Sequence, residues 1–537
     1  MKRSAEDASL LTDRPSAADP CSSDADAAPV PPHRVSIMVD SSASSISTTS
    51  SSLYRSCSTI TDDGKVLNNS TQPFLTRFIN ALLLQRDGSL ERGELTVDSS
   101  TGIIIHIRFD SLQPLEGSDE HQHQNLISHT VDCKGMILSP GFIDLQLNGA
   151  YGVDFSNGGS EDCDAKNDGL CLNDIFQVAN SLCQTGVTSF CPTMVSSSRD
   201  TYRRVIPLMR RARREQQRQE KEQQKTCSRT LGMARILRLH LEGPFFDPSK
   251  RGAHKNEHIL APSKGIDTVR EVYGLNQVQN ENHSDIDDSS PMLEDIDIIT
   301  LAPELDGALD ATESLTDASA NDPVVVSCGH TGASYEEGIQ AISHGATLLT
   351  HLFNAMNPFH HRKPGLVGLL SSESKLQSMG LQRPYYSLIV DGIHVHESAV
   401  CMAYNSHPDG CVLVTDAMSA MGLGDGIHAL GDMSVNIEGD RATLTGTETL
   451  AGSVVSMDTC VRRFQKFTAC SIGEALLCAT LHPANVLNRS EVREINGVIE
   501  APIGVLEIGA RADLVLLTGN LDVAATWVNG RAAYEMK

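Results

Sequence analysis

The chain has 537 residues, of which 40% are hydrophobic and 21% are charged, a composition that excludes a wholly disordered protein. Its 43 Lys and Arg residues against 68 Asp and Glu residues give a net charge of −25. This acidic balance argues against a general nucleic-acid-binding surface and against docking on anionic membranes.

The chain carries no sequence signal for export or for a membrane span. Its N-terminus lacks the apolar segment of a secretory signal, and no stretch approaches the roughly 18 uninterrupted apolar residues of a transmembrane helix. The 14 cysteines are scattered without CxxC pairs. We therefore expect a cytoplasmic protein with reduced thiols.

Three segments stand out by their composition. Residues 1–72 are rich in Ser, Thr, Asp and Ala, and we expect them to be a disordered tail. Two charged segments, near residues 205–228 and 270–295, have the composition of insertions. We expect the first to be a helix with a solvated face and the second to contain an acidic loop.

Eight apolar or β-branched runs recur through the middle of the chain, and each is followed at once by small and polar residues. They lie at residues 136–149, 186–196, 236–245, 296–305, 322–334, 346–356, 385–395 and 411–420. Helix-compatible sequence connects most of them, which is typical of parallel βα units. The sequence therefore predicts an α/β fold, a (β/α)8 TIM-type barrel over residues 139–499. A late helix opens with Ser471 and Glu474, which are spaced as a capping box.

Two β-rich pieces flank the predicted barrel, at residues 75–138 and 500–537. Neither is large enough to be stable alone. We expect them to combine into one small β-sandwich domain built from both ends of the chain.

Polar residues at the ends of the apolar runs point to chemistry, because active sites of such barrels lie at the carboxyl ends of the strands. These residues are Gln146, Asn148, Glu242, His330, His351, His394 and Asp416. Glu242, His330 and His351 offer one carboxylate oxygen and two imidazole nitrogens, a ligand set that leaves a position open on Zn²⁺ or another divalent ion. Asp416 is then the predicted general base. Taken singly, a His at a strand end is more often a structural residue, and a lone Glu or Asp there is often a helix N-cap, but the four together favour a metal site.

Two further motifs have weaker interpretations. The basic cluster HHRK at residues 360–363 is either a solvated turn or an anion clamp in which Arg362 binds phosphate oxygens. On an acidic chain we favour the clamp. The MGLGDG segment at residues 421–426 is interpreted as a plain loop, because no dinucleotide-binding strand–turn–helix surrounds it.

Seven segments carry a family resemblance, and they occur in this order: PGFIDLQLNGAYGVDF, HLEGPFFDPSKRGAH, GHTGASYEEG, THLFNAMNPFHHRKPGLVG, VDGIHVH, LVTDAMSAMG and LAGS. From about residue 75 to the C-terminus, the sequence resembles the N-acetylglucosamine-6-phosphate deacetylase family of the amidohydrolase superfamily. By this resemblance Glu242, His330 and His351 match the metal ligands, and Asp416 matches the catalytic acid/base.

The resemblance also implies substrate-binding positions, which are Ala253, His254, Asn354, Ala355, Arg362, His394, Leu450, Ala451 and Gly452. It implies that His254 lies near the scissile amide and that Arg362 and His394 hold the sugar phosphate. Gln146 and Asn148, also expected at the substrate, stand where many amidohydrolases have a His-x-His pair. This departure removes two ligands of a second metal, so one divalent ion per subunit is expected, and a two-metal site stays open.

The implied reaction is hydrolysis of N-acetylglucosamine 6-phosphate to glucosamine 6-phosphate and acetate, in amino-sugar catabolism or recycling. Metal-activated water attacks the acetamide, and Asp416 acts first as a general base and then as an acid. Zn²⁺ is the expected ion, although Fe²⁺, Co²⁺ and Mn²⁺ share such ligands. The family implies a homodimer.

Three alternatives stay open at the level of sequence: a cyclic amidase of the same superfamily, a deacylase for another N-acyl sugar, and a non-catalytic barrel. Cyclic amidases usually carry His-x-His on the first strand and a bridging Lys, whereas this chain has Gln146 and Asn148 there. A non-catalytic barrel is disfavoured because all four predicted ligand and base residues are present.

Overall fold

The structure is a computed structural model that describes residues 74–111, 127–157, 169–226, 232–275, 293–317, 322–430, 433–495 and 497–536. The predicted tail, residues 1–72, lies outside the described residues. So do residues 276–292, which make up most of the second predicted insertion.

The described residues form 25 β-strands and ten α-helices. The strands are β1 (Leu75–Leu84), β2 (Leu90–Asp98), β3 (Ile103–Phe109), β4 (Ile127–Asp132), β5 (Ile137–Pro140), β6 (Phe142–Leu147), β7 (Gly149–Ala150), β8 (Val153–Asp154), β9 (Val187–Val195), β10 (Arg235–Ile236), β11 (Leu239–Glu242), β12 (Ile296–Leu301), β13 (Val325–Cys328), β14 (Leu348–Leu349), β15 (Tyr385–Ile389), β16 (Cys411–Val414), β17 (Gly426–Leu430), β18 (Met433–Glu438), β19 (Arg441–Leu444), β20 (Leu450–Ser453), β21 (Arg493–Ile495), β22 (Val498–Glu500), β23 (Leu514–Leu517), β24 (Val523–Val528) and β25 (Arg531–Glu535). The helices are α1 (Leu172–Leu182), α2 (Arg199–Thr226), α3 (Ile266–Tyr273), α4 (Ala308–Leu315), α5 (Tyr335–Ser343), α6 (Glu373–Ser378), α7 (Glu397–Ser406), α8 (Met457–Thr468), α9 (Ile472–Leu477) and α10 (Leu481–Val486).

Eight parallel strands form the barrel, in the order β6, β9, β11, β12, β13, β14, β15 and β16. Neighbouring strands pair in parallel, with Leu241 of β11 opposite Ile299 of β12. The barrel closes where the backbone N–H of Asp416 donates to the carbonyl of Gln146 at 2.8 Å. Each strand lies within one of the eight predicted apolar runs, so the predicted (β/α)8 fold is confirmed.

The barrel strands are buried on both faces, which explains their continuous apolar sequence. Every residue of β11, β12, β13 and β16 is buried. Inside the barrel, Leu145, Ile298, Val325, Leu348 and Val412 pack into one apolar cluster. Strands covered by helices on one side and by this interior on the other have no solvated face and so lose the alternating pattern.

The two flanking β-rich pieces share a single mixed sheet of eight strands. Its order is β25, β24, β23, β5, β1, β2 and β3, with β4 beside β1. C-terminal strand β23 lies antiparallel to β5, with Leu516 opposite Leu138. Phe78 packs edge-on against Trp527 at a centroid distance of 4.9 Å. The predicted small β-domain is therefore assembled from both ends of the chain, hydrogen-bonded as one sheet.

The charged run of α2 has a buried face besides its solvated one. The side-chain amide of Gln216 donates to the carbonyl of Ala234 at 2.8 Å and accepts the N–H of Ile236 at 2.9 Å. The guanidinium of Arg210 contacts the carboxylate of Asp295 at 2.8 and 3.0 Å. The expectation of a merely solvated segment is wrong for this face, because α2 covers the edge strand β10 and the turn that precedes β12.

A four-stranded antiparallel sheet, β17 to β20, follows the last barrel strand. Residues 421–425 form the loop predicted for the MGLGDG segment, but the sheet that begins at Gly426 was not predicted. The N–H of Met418 donates to the carbonyl of Ser453 in β20 at 2.9 Å, which joins this sheet to the chain just after β16. The sheet is thereby held beside the carboxyl end of the barrel.

The predicted capping box at the start of α9 is confirmed. Oγ of Ser471 accepts the N–H of Glu474 at 3.1 Å, and Oε2 of Glu474 accepts the N–H of Ser471 at 2.7 Å.

Among the residues that the structure describes, none of the helices combines the length and the apolar character needed to span a bilayer.

The Arg210–Asp295 pair generates a stability prediction, because both side chains are only 1% exposed. We expect D295A to lower the free energy of unfolding by about 3–5 kcal/mol, since it leaves a buried guanidinium without its carboxylate. The matched control is E271A, which breaks the half-exposed ion pair between Glu271 and Arg199 of α2. It should lower the free energy of unfolding by less than about 1 kcal/mol. Denaturant titration measures both losses, and equal losses would contradict the prediction.

Candidate active site

The predicted metal ligands and general base lie at the carboxyl ends of four barrel strands. Glu242 is the last residue of β11. His330, His351 and Asp416 each lie two residues beyond the last residue of their strands, β13, β14 and β16. Because these strand ends meet at one edge of the barrel, side chains that are remote in sequence converge there.

His330, His351 and Asp416 also share an uncommon backbone conformation. Their φ angles are +50°, +30° and +46°, in the left-handed region that favours glycine. Such conformations cost on the order of 1–3 kcal/mol each and concentrate at functional sites. Their repetition at equivalent positions indicates that the strain is retained because it places these three side chains.

Glu242, His330 and His351 form a compact buried cluster. Their exposed fractions are 2%, 5% and 3%. Oε1 of Glu242 lies 3.2 Å from Nε2 of His330 and 3.1 Å from Nε2 of His351, and the two nitrogens are 3.0 Å apart. The structure thus brings the three predicted metal ligands together.

Hydrogen bonds and charges decide where protons sit in this cluster. Nδ1 of His330 donates to the carbonyl of Lys250 at 2.9 Å, so the neutral ring presents the lone pair of Nε2 to the cluster. Burial alone would lower the pKa of His351, but the hydrogen bond and charge of Glu242 raise it above its usual range. Conversely, the two imidazoles outweigh burial and hold the pKa of Glu242 well below its usual range. The cluster therefore needs one positive charge, either a proton on His351 or a cation.

The donor atoms fit a divalent cation. Ligand atoms bonded to a tetrahedral Zn²⁺ at about 2.0–2.1 Å are themselves about 3.3 Å apart, close to the spacing in this cluster. Nδ1 of His351 is buried and finds no hydrogen-bond partner among the described residues. Two nitrogens and one oxygen leave a fourth position open, as in catalytic rather than structural zinc sites.

Asp416 is connected to the cluster through Gln146. Nε2 of Gln146 donates to Oε1 of Glu242 at 2.8 Å and to Oδ1 of Asp416 at 3.1 Å. Nδ2 of Asn148 donates to the same Oδ1 at 2.7 Å. Burial, followed by the charge of Glu242, raises the pKa of Asp416 to about 7. Since both amides bond to Oδ1, Oδ2 of Asp416 is left to exchange a proton.

His254 lies beside the cluster as an uncharged ring. Its Nδ1 accepts the N–H of Ser196 at 3.1 Å, so its proton is on Nε2. Burial lowers the pKa of His254 to about 3, which keeps the ring neutral at neutral pH. The ring meets that of His330 edge-on at a centroid distance of 4.7 Å. His254 can therefore donate a hydrogen bond from Nε2 without carrying a charge.

A carboxylate that the sequence analysis did not single out, Asp391, holds His394. Oδ2 of Asp391 accepts from Nδ1 of His394 at 2.5 Å, and Oδ1 accepts the N–H groups of Ile393 and His394 at 2.8 Å. Burial alone would lower the pKa of His394, but the bond and charge of Asp391 raise it. The available sequence signal was the position of Asp391 directly after a barrel strand.

A chain of buried hydrogen bonds inside the barrel was also missed. Nδ1 of His240 donates to the carbonyl of Leu145 at 3.0 Å, and its Nε2 accepts from Oγ1 of Thr300 at 2.7 Å. The chain continues from Thr300 to Thr350 at 2.8 Å and from Thr350 to Ser327 at 2.5 Å. Because Nε2 of His240 accepts, each hydroxyl donates toward that ring. These bonds join β6, β11, β12, β13 and the residue after β14, below the strand ends that carry the cluster.

The loop after β14 carries three predicted substrate-binding residues. Nδ2 of Asn354 is buried without a hydrogen-bond partner among the described residues. The carbonyl of Ala355 accepts the N–H of Thr331 at 3.0 Å, which joins this loop to the one after β13. Arg362 is exposed, and its Nε donates to Nε2 of His361 at 3.0 Å. The contacts of Arg362 among the described residues do not reach the cluster.

The remaining predicted residues lie on two other segments. Ala253 is exposed and is adjacent to His254. Leu450, Ala451 and Gly452 belong to β20, which is joined to the chain just after Asp416. All three are partly buried. The structure therefore places these residues on segments that border the strand ends.

The contact between Asp391 and His394 generates a titration prediction. In D391N the charge is lost while an oxygen remains to accept the two N–H groups, so we expect the pKa of His394 to fall. In the wild type this pKa is raised, so the stability that the pair contributes is complete below the ordinary histidine pKa of about 6.5 and is lost as pH rises through the folded-state pKa. NMR titration of His394 in the wild type and in D391N measures the shift, with exposed His129 of β4 as a control outside the site. An unchanged midpoint for His394 in D391N would contradict the prediction.

Comparison with known proteins identifies the family of this chain. A model described as "Amidohydrolase family" matches residues 296–533. A Caenorhabditis elegans protein named N-acetylglucosamine-6-phosphate deacetylase is 38% identical over 463 residues, which cover 86% of this chain and 94% of that protein. A Mus musculus protein of the same name is 40% identical over 405 residues, covering 75% of this chain and 85% of that protein.

Solved structures agree with these sequence relationships. The crystal structure of N-acetylglucosamine-6-phosphate deacetylase from Pasteurella multocida matches with a TM-score of 0.63 and 26% identity, and it covers 86% of this chain and 99% of that chain. The resemblance drawn from the seven motifs, and the enzyme class that it implies, are thus confirmed. By the extent of these matches, the chain belongs to the N-acetylglucosamine-6-phosphate deacetylase family of the amidohydrolases.

Proposed function

We propose that this chain hydrolyses N-acetylglucosamine 6-phosphate to glucosamine 6-phosphate and acetate, with one divalent cation per subunit. The observation that carries the proposal is the approach of Glu242, His330 and His351 to within 3.2 Å of one another beside a protonatable Asp416. The names of the curated relatives supply the substrate.

Oε1 of Glu242 and the Nε2 atoms of His330 and His351 would hold the cation. A bound divalent ion supplies Lewis-acid chemistry, which polarises a carbonyl and makes water more acidic. We propose Zn²⁺, because it favours this mixed set of two nitrogens and one oxygen, while Fe²⁺, Co²⁺ and Mn²⁺ share the same ligands. Since His351 must lose its proton to become a ligand, metal affinity should fall as the pH falls.

Asp416 is the proposed proton carrier of the reaction. With Oδ1 held by Gln146 and Asn148, Oδ2 takes a proton from the attacking water and returns it to the departing amine. An amine leaves only when protonated, so one group must perform both transfers. A pKa of Asp416 near neutrality suits a group that both accepts and donates a proton.

His254 is the proposed donor to the oxygen of the scissile acetamide. The N–H of Ser196 fixes the proton of His254 on Nε2, and burial keeps the ring neutral. A donor that is held in place before the reaction stabilises negative charge as it develops on that oxygen. This role requires a neutral imidazole, and the low pKa of His254 provides one across the working pH range.

The phosphate and the sugar would be bound by the surrounding loops. We propose that Arg362 and His394 contact the phosphate, since the carboxylate of Asp391 favours the charged form of His394. The unpartnered amide of Asn354 is a further donor for the ligand, next to Ala355. Ala253, together with Leu450, Ala451 and Gly452, would line and cover the sugar.

The proposal extends to assembly and location. As in the family resemblance, we propose a homodimer in which the partner subunit supplies part of the phosphate contact. The ten described cysteines are free thiols, which agrees with the proposed cytoplasmic location.

The role of Asp416 predicts the behaviour of D416N. Asn keeps an oxygen for the amides of Gln146 and Asn148 but cannot carry the proton, so kcat should fall by about 10²–10⁴-fold with metal content unchanged. D267N, an exposed change on α3, is the control and should retain full kcat. Steady-state kinetics with metal analysis checks this, and near-normal turnover by D416N would refute the role.

Acetate release tests the proposed activity. Purified, metal-quantified protein should release acetate from N-acetylglucosamine 6-phosphate with kcat/KM about 10²-fold or more above that for unphosphorylated N-acetylglucosamine, because charged contacts hold the phosphate. R362M should reduce this preference by raising KM for the phosphorylated sugar alone. Equal rates with both sugars, or no acetate from either, would overturn the proposal.

A further inference from the structure

A second cavity lies at the end of the barrel opposite to the candidate active site. It has a volume of about 240 Å³ and is bordered by α2, β10 and the chain that follows α10. Arg235 of β10 pairs with Ser189 in the first half of β9, which places the cavity at the amino ends of the strands. On a chain whose net charge is −25, six arginines of the described residues line it: Arg213, Arg214, Arg235, Arg238, Arg489 and Arg493.

Five of these six arginines already interact with other groups of the chain. Arg489 forms a bidentate pair with Asp297, with nitrogen–oxygen distances of 2.7 and 2.9 Å. The others are Arg213 (3.4 Å from Asp295), Arg238 (4.0 Å from Asp297), Arg493 (2.8 Å from Glu500) and Arg214. Their charges are therefore largely compensated within the protein.

Arg235 differs from the other five. It is partly buried, and its guanidinium makes no hydrogen bond or ion pair within the part of the chain that the structure describes. Burial, followed by the like charge of Arg511, lowers the pKa of Arg235 to about 10. The charges of Glu220, Asp513 and Glu500 oppose this fall only in part. Each of these carboxylates also lies near another arginine, since Arg511 is 3.9 Å from Glu220 and 3.1 Å from Asp513, and Arg493 is 2.8 Å from Glu500.

We propose that this cavity is a binding site for a small phosphate anion, with Arg235 as its principal contact. The free N–H groups of a planar guanidinium match two oxygens of one phosphate group. Among the described residues, the lining has no aromatic side chain on which a nucleobase could stack. The volume suits inorganic phosphate or a small phosphate monoester rather than a nucleotide.

The negative charges of the carboxylates that line the cavity are offset by nearby arginines or screened by solvent. Glu220, Glu491 and Glu500 each lie near an arginine, at 3.9, 2.7 and 2.8 Å. Glu294 is exposed at the cavity border, where solvent screens its charge. An anion beside Arg235 therefore meets no buried carboxylate that lacks a cation among the described residues.

Thermal unfolding of the full-length, metal-loaded protein tests the proposal. Inorganic phosphate, compared with sodium chloride at equal ionic strength, should raise the Tm of the wild type by about 2 °C. A parallel arm with glycerol 3-phosphate distinguishes a monoester from free phosphate. The shift should disappear in R235M, which keeps the length of the side chain, and persist in R362M, which alters the proposed active-site clamp.

Two results would overturn the proposal: no shift beyond that of chloride, or a shift that R235M retains. Loss in R362M alone would assign the phosphate to the active site instead and would equally overturn it. If R235M does not fold, wild-type crystals soaked in selenate provide the second measurement. An anomalous peak in contact with the guanidinium of Arg235 is expected, and its absence there contradicts the proposal.

Discussion

One carboxylate oxygen of Glu242 and one imidazole nitrogen each of His330 and His351 lie only 3.0–3.2 Å apart in a buried cluster. Each of these atoms can carry a lone pair. This arrangement is repulsive unless a proton or a cation lies among the atoms, because Nε2 of His330 has no proton to give and burial disfavours a bare carboxylate. The surroundings maintain this constraint. The carbonyl of Lys250 fixes the proton of His330 on the far nitrogen, and left-handed backbone holds both histidines at their strand ends.

The same constraint separates the two carboxylates of the site. Two buried acids at close range ordinarily force one of them to keep its proton. Here Glu242 bonds to two imidazoles and holds its charge, whereas Asp416 bonds to the amides of Gln146 and Asn148, and burial and the charge of Glu242 raise its pKa. Gln146 bonds to both carboxylates and so joins the two side chains. Environments that move two pKa values apart are what the proposed division of roles requires, with one acid for cation binding and the other for proton transfer.

The four central residues could be singled out from the sequence because each lies at the end of an apolar strand or two residues beyond it. Strands buried on both faces leave such runs, and parallel strands bring the residues that follow them to one edge. The supporting contacts were not predictable in this way. The bonds from His240 to Thr300 and onward depend on how the strands are aligned with one another. The alternation of side chains along a single strand does not determine that alignment.

Two other features escaped prediction for different physical reasons. Arg210 and Gln216 lie in a run whose composition is that of a solvated helix, and only their partners on neighbouring segments make burial favourable. The sheet β17 to β20 combines short strands with exposed residues, so its sequence carries little apolar alternation. Asp391 was not predicted although it follows a strand, because the functional role there was assigned to His394, three residues later.

An anomalous difference map from crystals of the metal-loaded protein, recorded at the absorption edge of the bound metal, would locate the proposed cation. One strong peak per subunit is expected, within bonding distance of Oε1 of Glu242 and of Nε2 of both His330 and His351. A peak elsewhere, a map without a peak at this cluster, or a second equal peak between Gln146 and Asp416 would contradict it.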